Sequence, residues 1–302
     1  MKIFVDTADL EEIKEAESWG ILDGVTTNPS LIKKAVEKSG GDIGLEDMIV
    51  EILKTVDGPV SLEVGGVTHD EMVEEAQRLF DKFNGVNENV VVKIPINTRM
   101  QKGDSDFEGV KAIKTLSESG IPVNCTLVMS SNQALMAAKA GAAYVSPFLG
   151  RIDDHIRGRM GLKRGEDYPK GTYYPDQLAS RARGYKLNEL FGEVDLEDAV
   201  YKDQNVMKTY DWANDDGIYS GLDLTWSIKK IYDNYNFDTE IIAASLRTAR
   251  QVRECAEIGV DIATIPFSVI EDMMVHYKTE QGMKGFVKDV IPEYQDILKG
   301  DR

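Results

Sequence analysis

In the stretch Asn89-Val90-Val91-Val92-Lys93-Ile94-Pro95 a lysine breaks a β-branched run just before a proline that cannot continue a ladder. Burying an unpaired ammonium is disfavoured unless its pKa falls or a partner appears. A desolvated lysine of that kind is a nucleophile that attacks a carbonyl to form an imine. The alternative is an edge-strand lysine whose stem packs while its head reaches water. Other apolar runs also end in hydrogen-bonding residues: Asp6, Asn28, Glu63, Asn124 with Thr126, Ser146, and Ser245. Taken singly, each is an ordinary turn or cap; Asn28 precedes Pro29, and Ser245 precedes a helix. Together they suit one chemistry. Imine formation and C–C cleavage need proton transfers, which a strand-end carboxylate such as Asp6 mediates directly or through water. Asn28, Asn124 and Ser146 carry groups that hold the hydroxyls of a polyol, and no cofactor is required.

An anion site has its own signal in the sequence. Ser245-Leu246-Arg247 follows an apolar run and opens a helix, where backbone N–H groups favour phosphate. Arg151 adds a second guanidinium suited to bidentate contact. Pairing of both arginines with surface acids is the competing reading.

The elements that must position these groups follow from periodicity. Short apolar runs alternate with amphipathic stretches from the first residue onward. Strands are expected at 2–6, 24–30, 60–64, 89–95, 122–128, 142–148, 240–245 and 261–267, the sixth running on to Gly150-Arg151. Helices are expected between them, with two more near 268–276 and 283–298. Eight strand–helix units point to parallel strands with crossover helices, and the closed (β/α)8 TIM barrel fits the α/β pattern better than an open sheet. In such a barrel the active site lies at the C-terminal strand ends, where the residues above fall. The chain reads as a single domain, 1–302, with an inserted segment at 154–220 between strand six and its following helix.

The 302 residues carry a formal charge of −17, which argues against nucleic acid or an anionic membrane as partner. No apolar run nears the roughly 20 residues that span a bilayer, and the N-terminus has no signal-peptide layout. Cys125 and Cys255 sit far apart in apolar segments as expected buried thiols, consistent with a reducing cytoplasm. His69, His155 and His276 have no metal-ligand spacing, so no metal site is expected. Neither GxGxxG nor GxxxxGKS occurs, which counts against a dinucleotide fold.

Longer motifs then carry a resemblance. Phe4-Val5-Asp6-Thr7-Ala8, Gly24-Val25-Thr26-Thr27-Asn28-Pro29-Ser30-Leu31, Val92-Lys93-Ile94-Pro95, Gly109-Val110-Lys111-Ala112-Ile113, Asn124-Cys125-Thr126-Leu127-Val128, Tyr144 through Asp154, Ile242 through Arg247, and Ala263 through Phe267 resemble the transaldolase family. The likeness is strongest to its compact branch, which includes fructose-6-phosphate aldolase. The resemblance implies a cofactor-free, cytoplasmic enzyme of the pentose phosphate pathway that moves a dihydroxyacetone unit from a ketose phosphate of the fructose 6-phosphate or sedoheptulose 7-phosphate type to an aldose phosphate. It implies that Lys93 is the Schiff-base lysine, Asp6 the acid–base group, and Glu63 with Thr126 the holders of a catalytic water. Asn28, Asn124 and Ser146 fall where the family binds donor hydroxyls, and Arg151, Ser245 and Arg247 where it binds phosphate. Aldolases of the family carry glutamine in place of Glu63 and tyrosine in place of Phe148, so both positions are of the transaldolase type. The alternatives are an aldolase releasing free dihydroxyacetone, a transaldolase for a modified (for example sulfonated) ketose, and a sugar-phosphate-binding barrel without catalysis. A homo-oligomer is also implied, since compact relatives form rings built with C-terminal helices.

The departure from the compact pattern is the inserted segment. His155 to Lys186 holds eight basic residues against three acids, a formal charge of +5 inside a chain of −17. Lying on the active-site face, it is expected to serve either as a lid or cationic funnel for phosphorylated sugars, or as an oligomer contact or solvated decoration.

Overall fold

Each short β-branched run becomes one stave of a closed sheet. The computed structural model describes residues 1–38, 40, 44–159, 162–174 and 217–299. The strands are β1 (Lys2–Asp6), β2 (Gly24–Thr26), β3 (Val60–Glu63), β4 (Val90–Pro95), β5 (Val123–Val128), β6 (Tyr144–Pro147), β7 (Glu240–Ala243) and β8 (Ile262–Ile265). All neighbours pair in parallel, and β8 returns to β1 to close the (β/α)8 barrel. The helices are α1 (Leu10–Ser18), α2 (Pro29–Lys38), α3 (Leu45–Thr55), α4 (His69–Phe83), α5 (Glu108–Glu118), α6 (Ser131–Lys139), α7 (Leu149–Arg159), α8 (Gly221–Tyr235), α9 (Ala249–Ile258), α10 (Phe267–Met274), α11 (Tyr277–Asp289) and α12 (Pro292–Lys299). Side chains of Asp9, Thr68, Ser130, Ser220 and Thr248 accept from first-turn amides, which fixes where α1, α4, α6, α8 and α9 begin.

Period-two alternation sorts each strand between two destinations. Val5, Val25, Leu62, Val92, Cys125, Val145 and Ala263 face outward into the main core shared with the helices. Phe4, Ile242 and Ile262, with Tyr144 against them, form a second apolar cluster that plugs the lower barrel interior. Burying a ring such as Phe4 contributes about 1.5–3 kcal/mol. Gly24 makes room for it, because a Cβ there would stand 2.6 Å from the Phe4 ring. One step further along the same inward rows come the polar residues: Asp6 above Phe4, Lys93 above Val91, Thr264 above Ile262. The apolar plug is the floor and the polar layer the ceiling.

Several boundaries differ from the sequence reading, each for a local reason. α2 starts at Pro29 and not Leu31, because Asn28 Oδ1 accepts from the amides of Ser30 (3.0 Å) and Leu31 (3.1 Å) and proline suits the first helical position. β6 stops at Pro147, and α7 follows at once; the Leu149 and Gly150 amides donate to Ala244 and Ser245 carbonyls, which turns the chain out of the sheet. The first residues of the expected insertion, 154–159, thus lie in α7, and the helix expected after the insertion is α8. Within the remainder of the expected insertion, 162–174 pack beside α7 and α9, while 175–216 fall outside the described residues. The expected final helix is two, because Pro292 cannot continue α11. No helix among the described residues is long and apolar enough to cross a membrane.

Candidate functional site

Lys93 is 4% exposed, and β4 has a paired strand on each side, so it is no edge lysine. The burial is compensated. Lys93 Nζ donates to the Thr27 carbonyl at 3.1 Å and stands 3.3 Å from Glu63 Oε2. Strand register explains the pairing, since Glu63, Lys93 and Asn124 are consecutive partners across β3, β4 and β5. Parallel partners in one row present their side chains to the same face.

Asp6 accepts a hydrogen bond from Thr26 Oγ1 at 2.8 Å, and Thr26 in turn shares a short hydroxyl contact with Thr264. Burial raises the Asp6 pKa above the usual carboxylate value, opposed by the Lys93 charge and the Thr26 hydroxyl. On the opposite wall, Ser146 Oγ donates to Asn124 Oδ1 at 2.7 Å, and Asn124 Nδ2 donates to Ser61 Oγ at 3.1 Å. That chain fixes which edge of the Asn124 amide faces which neighbour. Thr126 Oγ1 is buried with no hydrogen-bonding partner among the described residues.

Asp6, Asn28, Lys93, Ser146, Phe148, Arg151 and Ser245 line one cavity of about 130 Å3, together with Thr26, Ala244 and Thr264. Ser245 adopts φ +61°, a left-handed backbone unusual for a residue with a Cβ. The Arg151 guanidinium lies 4.7 Å from the Phe148 ring centroid, which holds the cation over an aromatic face at the rim. A larger hollow of about 440 Å3 shares Asp6 and runs between α1, α2 and α10.

The structure thus brings together seven of the eleven expected residues directly on one cavity. Glu63 joins them through Lys93, and Asn124 through Ser146. Thr126 shares β5 with Asn124, two positions on and on the same face. Arg247 does not line the cavity; its guanidinium donates to both Asp154 oxygens and to the Gly150 carbonyl. Thr26, Ser61, Thr264 and the Thr27 carbonyl were missed by sequence reasoning. The three side chains sit at inward positions of their strands, two residues from an apolar inward neighbour or beside a known polar one, and that phase was readable. No group of three or more His, Cys, Asp or Glu among the described residues could hold a metal ion.

The family model described as Transaldolase/Fructose-6-phosphate aldolase matches residues 3–185 and 195–298. A probable transaldolase of Aquifex aeolicus is 39% identical over 289 residues, covering 96% of each chain. One from Thermoplasma acidophilum is 38% identical over 301 residues, covering 99% of this chain and all of the relative. One from Petrotoga mobilis is 37% identical over 299 residues, covering 99% and 98%.

Proposed function

The chain belongs to the transaldolase/fructose-6-phosphate aldolase family, and on that premise we propose that it is a transaldolase working through a Schiff base on Lys93. The observation that carries the reading is a buried lysine amine paired with the Glu63 carboxylate at the wall of a polar cavity that Asp6 also lines. Mere binding has no use for such an amine.

In this reading the Lys93 amine attacks the ketose carbonyl carbon, and the carbonyl oxygen leaves as water after proton transfer from a neighbouring acid. The resulting iminium draws electrons from the C–C bond being cleaved, while Asp6 takes the proton from the hydroxyl that becomes the departing aldehyde. A carboxyl raised by burial and opposed by one cation is suited to taking and returning that proton. The three-carbon enamine left on Lys93 then adds to an aldose-phosphate acceptor. Glu63 and the Thr126 hydroxyl, which has no partner of its own among the described residues, hold the water that enters and leaves the imine. Asn28, Asn124 and Ser146 orient donor hydroxyls; Arg151, Ser245 and Arg247 take the phosphate. Glu63 and Phe148 favour transfer over release of free dihydroxyacetone. Donors of the fructose 6-phosphate or sedoheptulose 7-phosphate type place the enzyme among the cytoplasmic pentose-phosphate interconversions.

A second copy of this chain is the partner that fits α11 and α12. Neither helix has a buried residue; α11 exposes Phe286 and Val287, and α12 exposes Ile297 and Leu298, each at more than half its area. Sedimentation of the full chain would show a monomer if that assignment is wrong.

Borohydride reduction with fructose 6-phosphate, followed by peptide mass mapping, tests the mechanism. A stable adduct on Lys93 that vanishes in Lys93→Met is expected. Wild type without an adduct, or with one on another lysine, sinks it. Supplying or omitting an aldose-phosphate acceptor separates transfer from free aldol cleavage.

A further inference from the structure

The guanidinium of Arg247 is clamped. Its Nη1 donates to Asp154 Oδ1 at 2.8 Å, and its Nη2 donates to Asp154 Oδ2 and, at 2.8 Å, to the Gly150 carbonyl. It lies flat where residue 150 would carry a side chain, since a Cβ on Gly150 would stand 2.5 Å from Arg247 Nε. Its backbone is fixed as well. The Arg247 amide donates to Gln251 Oε1 at 3.0 Å, and Gln251 Nε2 donates to Asp153 at 3.3 Å. Gly150 is followed by cavity-lining Arg151, and its amide donates at 3.1 Å to the carbonyl of cavity-lining Ser245. The clamp therefore holds Arg247 immediately behind the rim of the cavity. Three of the guanidinium's five N–H donors are committed to Asp154 and Gly150, leaving Nε–H and one Nη1 proton for a ligand.

We propose that Asp154 is the positioning residue of the anion subsite, holding Arg247 in the pose that receives the sugar phosphate. The inference rests on the reading above that this face binds phosphate. An arginine on a free stem must be ordered each time an anion arrives, whereas one already locked by a fork-on-fork carboxylate loses little further freedom. A carboxylate next to an anion subsite would ordinarily repel the ligand, and the surrounding charges offset that. Asp154 is also met by Arg164 Nε at 3.3 Å, Arg157 Nη1 at 3.7 Å and the Tyr168 hydroxyl at 3.1 Å. Three guanidiniums thus meet Asp154, so even with neighbouring Asp153 counted the cluster stays net positive. The segment 162–174 acquires a part to play. Arg157 is stacked under Tyr168 (4.2 Å) and Tyr174 (4.8 Å) and donates to the Thr172 carbonyl at 3.0 Å. The segment braces the carboxylate that braces Arg247.

The test compares wild type with Asp154→Ala and the isosteric Asp154→Asn, each first checked for the Lys93 borohydride adduct with unphosphorylated dihydroxyacetone, which reports a folded site. Inorganic phosphate is titrated by calorimetry, and transfer kinetics are measured with fructose 6-phosphate and with fructose. Expected is a tenfold or greater weakening of phosphate binding and rise in KM for fructose 6-phosphate in Asp154→Ala (on the order of one lost charge-assisted contact). kcat should stay within about threefold and kcat/KM on fructose should be unchanged, with partial rescue in Asp154→Asn. Equal losses on both sugars would mean a general structural role, and tighter phosphate binding would mean that Asp154 holds Arg247 back; either overturns the proposal. A wild type that forms the Lys93 adduct but binds no phosphate removes the anion subsite and this inference with it. Absence of the adduct in wild type condemns the Schiff-base reading instead.

Discussion

Lys93→Met puts both the chemistry and the electrostatics of the site to a quantitative test. The methionine fills similar volume but leaves Glu63 without its cation. The side chains of Lys93 and Glu63 are 6% and 14% exposed, so the pair is nearly dry. Removing one partner of a buried pair costs about 3–5 kcal/mol, because the other charge is left uncompensated. Partial exposure of Glu63 places the expectation at the low end, about 3 kcal/mol. For a domain of this size each kcal/mol shifts Tm by about 2 °C, so calorimetry should show a fall of about 6 °C. Glu63→Gln alone should cost less, since Lys93 keeps the Thr27 carbonyl and the Asp6 charge. The double variant Lys93→Met/Glu63→Gln has neither charge and should recover most of the loss, giving a coupling of about 2 kcal/mol in the cycle. All Lys93→Met proteins should be inactive. A single variant as stable as wild type, with no recovery in the double, would refute the claim that Glu63 is the principal countercharge of Lys93.

Asp6→Asn should lower kcat by about 10²–10⁴-fold while the Lys93 adduct still forms, because it removes the proton carrier and not the nucleophile; loss of the adduct in quenched samples would reassign Asp6 to imine formation. Asp153, buried and bonded from the Gly221 amide at 2.8 Å, has its pKa pushed up to about 7 mainly by desolvation. The folded state thus holds a proton that the unfolded chain gives up near 3.8, so stability should decline as pH rises from about 4 to about 7 and level off above. Asp153→Asn should flatten that part of the Tm–pH curve, and an unchanged slope would point to another group. Burial raises the thiol pKa of Cys125 and Cys255, so neither should react with a thiol reagent at pH 8 without denaturant; mass shifts on the native protein would contradict this.

Much of the barrel is legible in the sequence because parallel strands buried on both faces write themselves as β-branched runs, and because polar residues in such runs are conspicuous. Lys93, Asp6 and Ser146 announce themselves that way. Thr26 and Thr264 do not, since threonine is β-branched and reads as an ordinary strand former, and only the inward phase shared with Phe4 and Ile262 exposes them. Arg247 is legible only in part. Its place after β7 points to a ligand, yet its nearest partner is Asp154, a contact between residues 93 positions apart that no local pattern encodes. The helix α7 was hidden because Tyr144 through Gly150 reads as one continuous run, and what ends the strand is a backbone contact with Ala244 and Ser245.

The common row of Glu63, Lys93 and Asn124 also constrains how this protein can change. In a closed parallel sheet a one-residue insertion or deletion inside β3, β4 or β5 turns every later side chain of that strand to the opposite face. Lys93 would then exchange places with Val92 or Ile94, leaving an ammonium among the helices and a valine or isoleucine in the cavity. A length change is therefore better absorbed in the connections than before Glu63, Lys93 or Asn124, where the count of residues keeps nucleophile and countercharge level with each other.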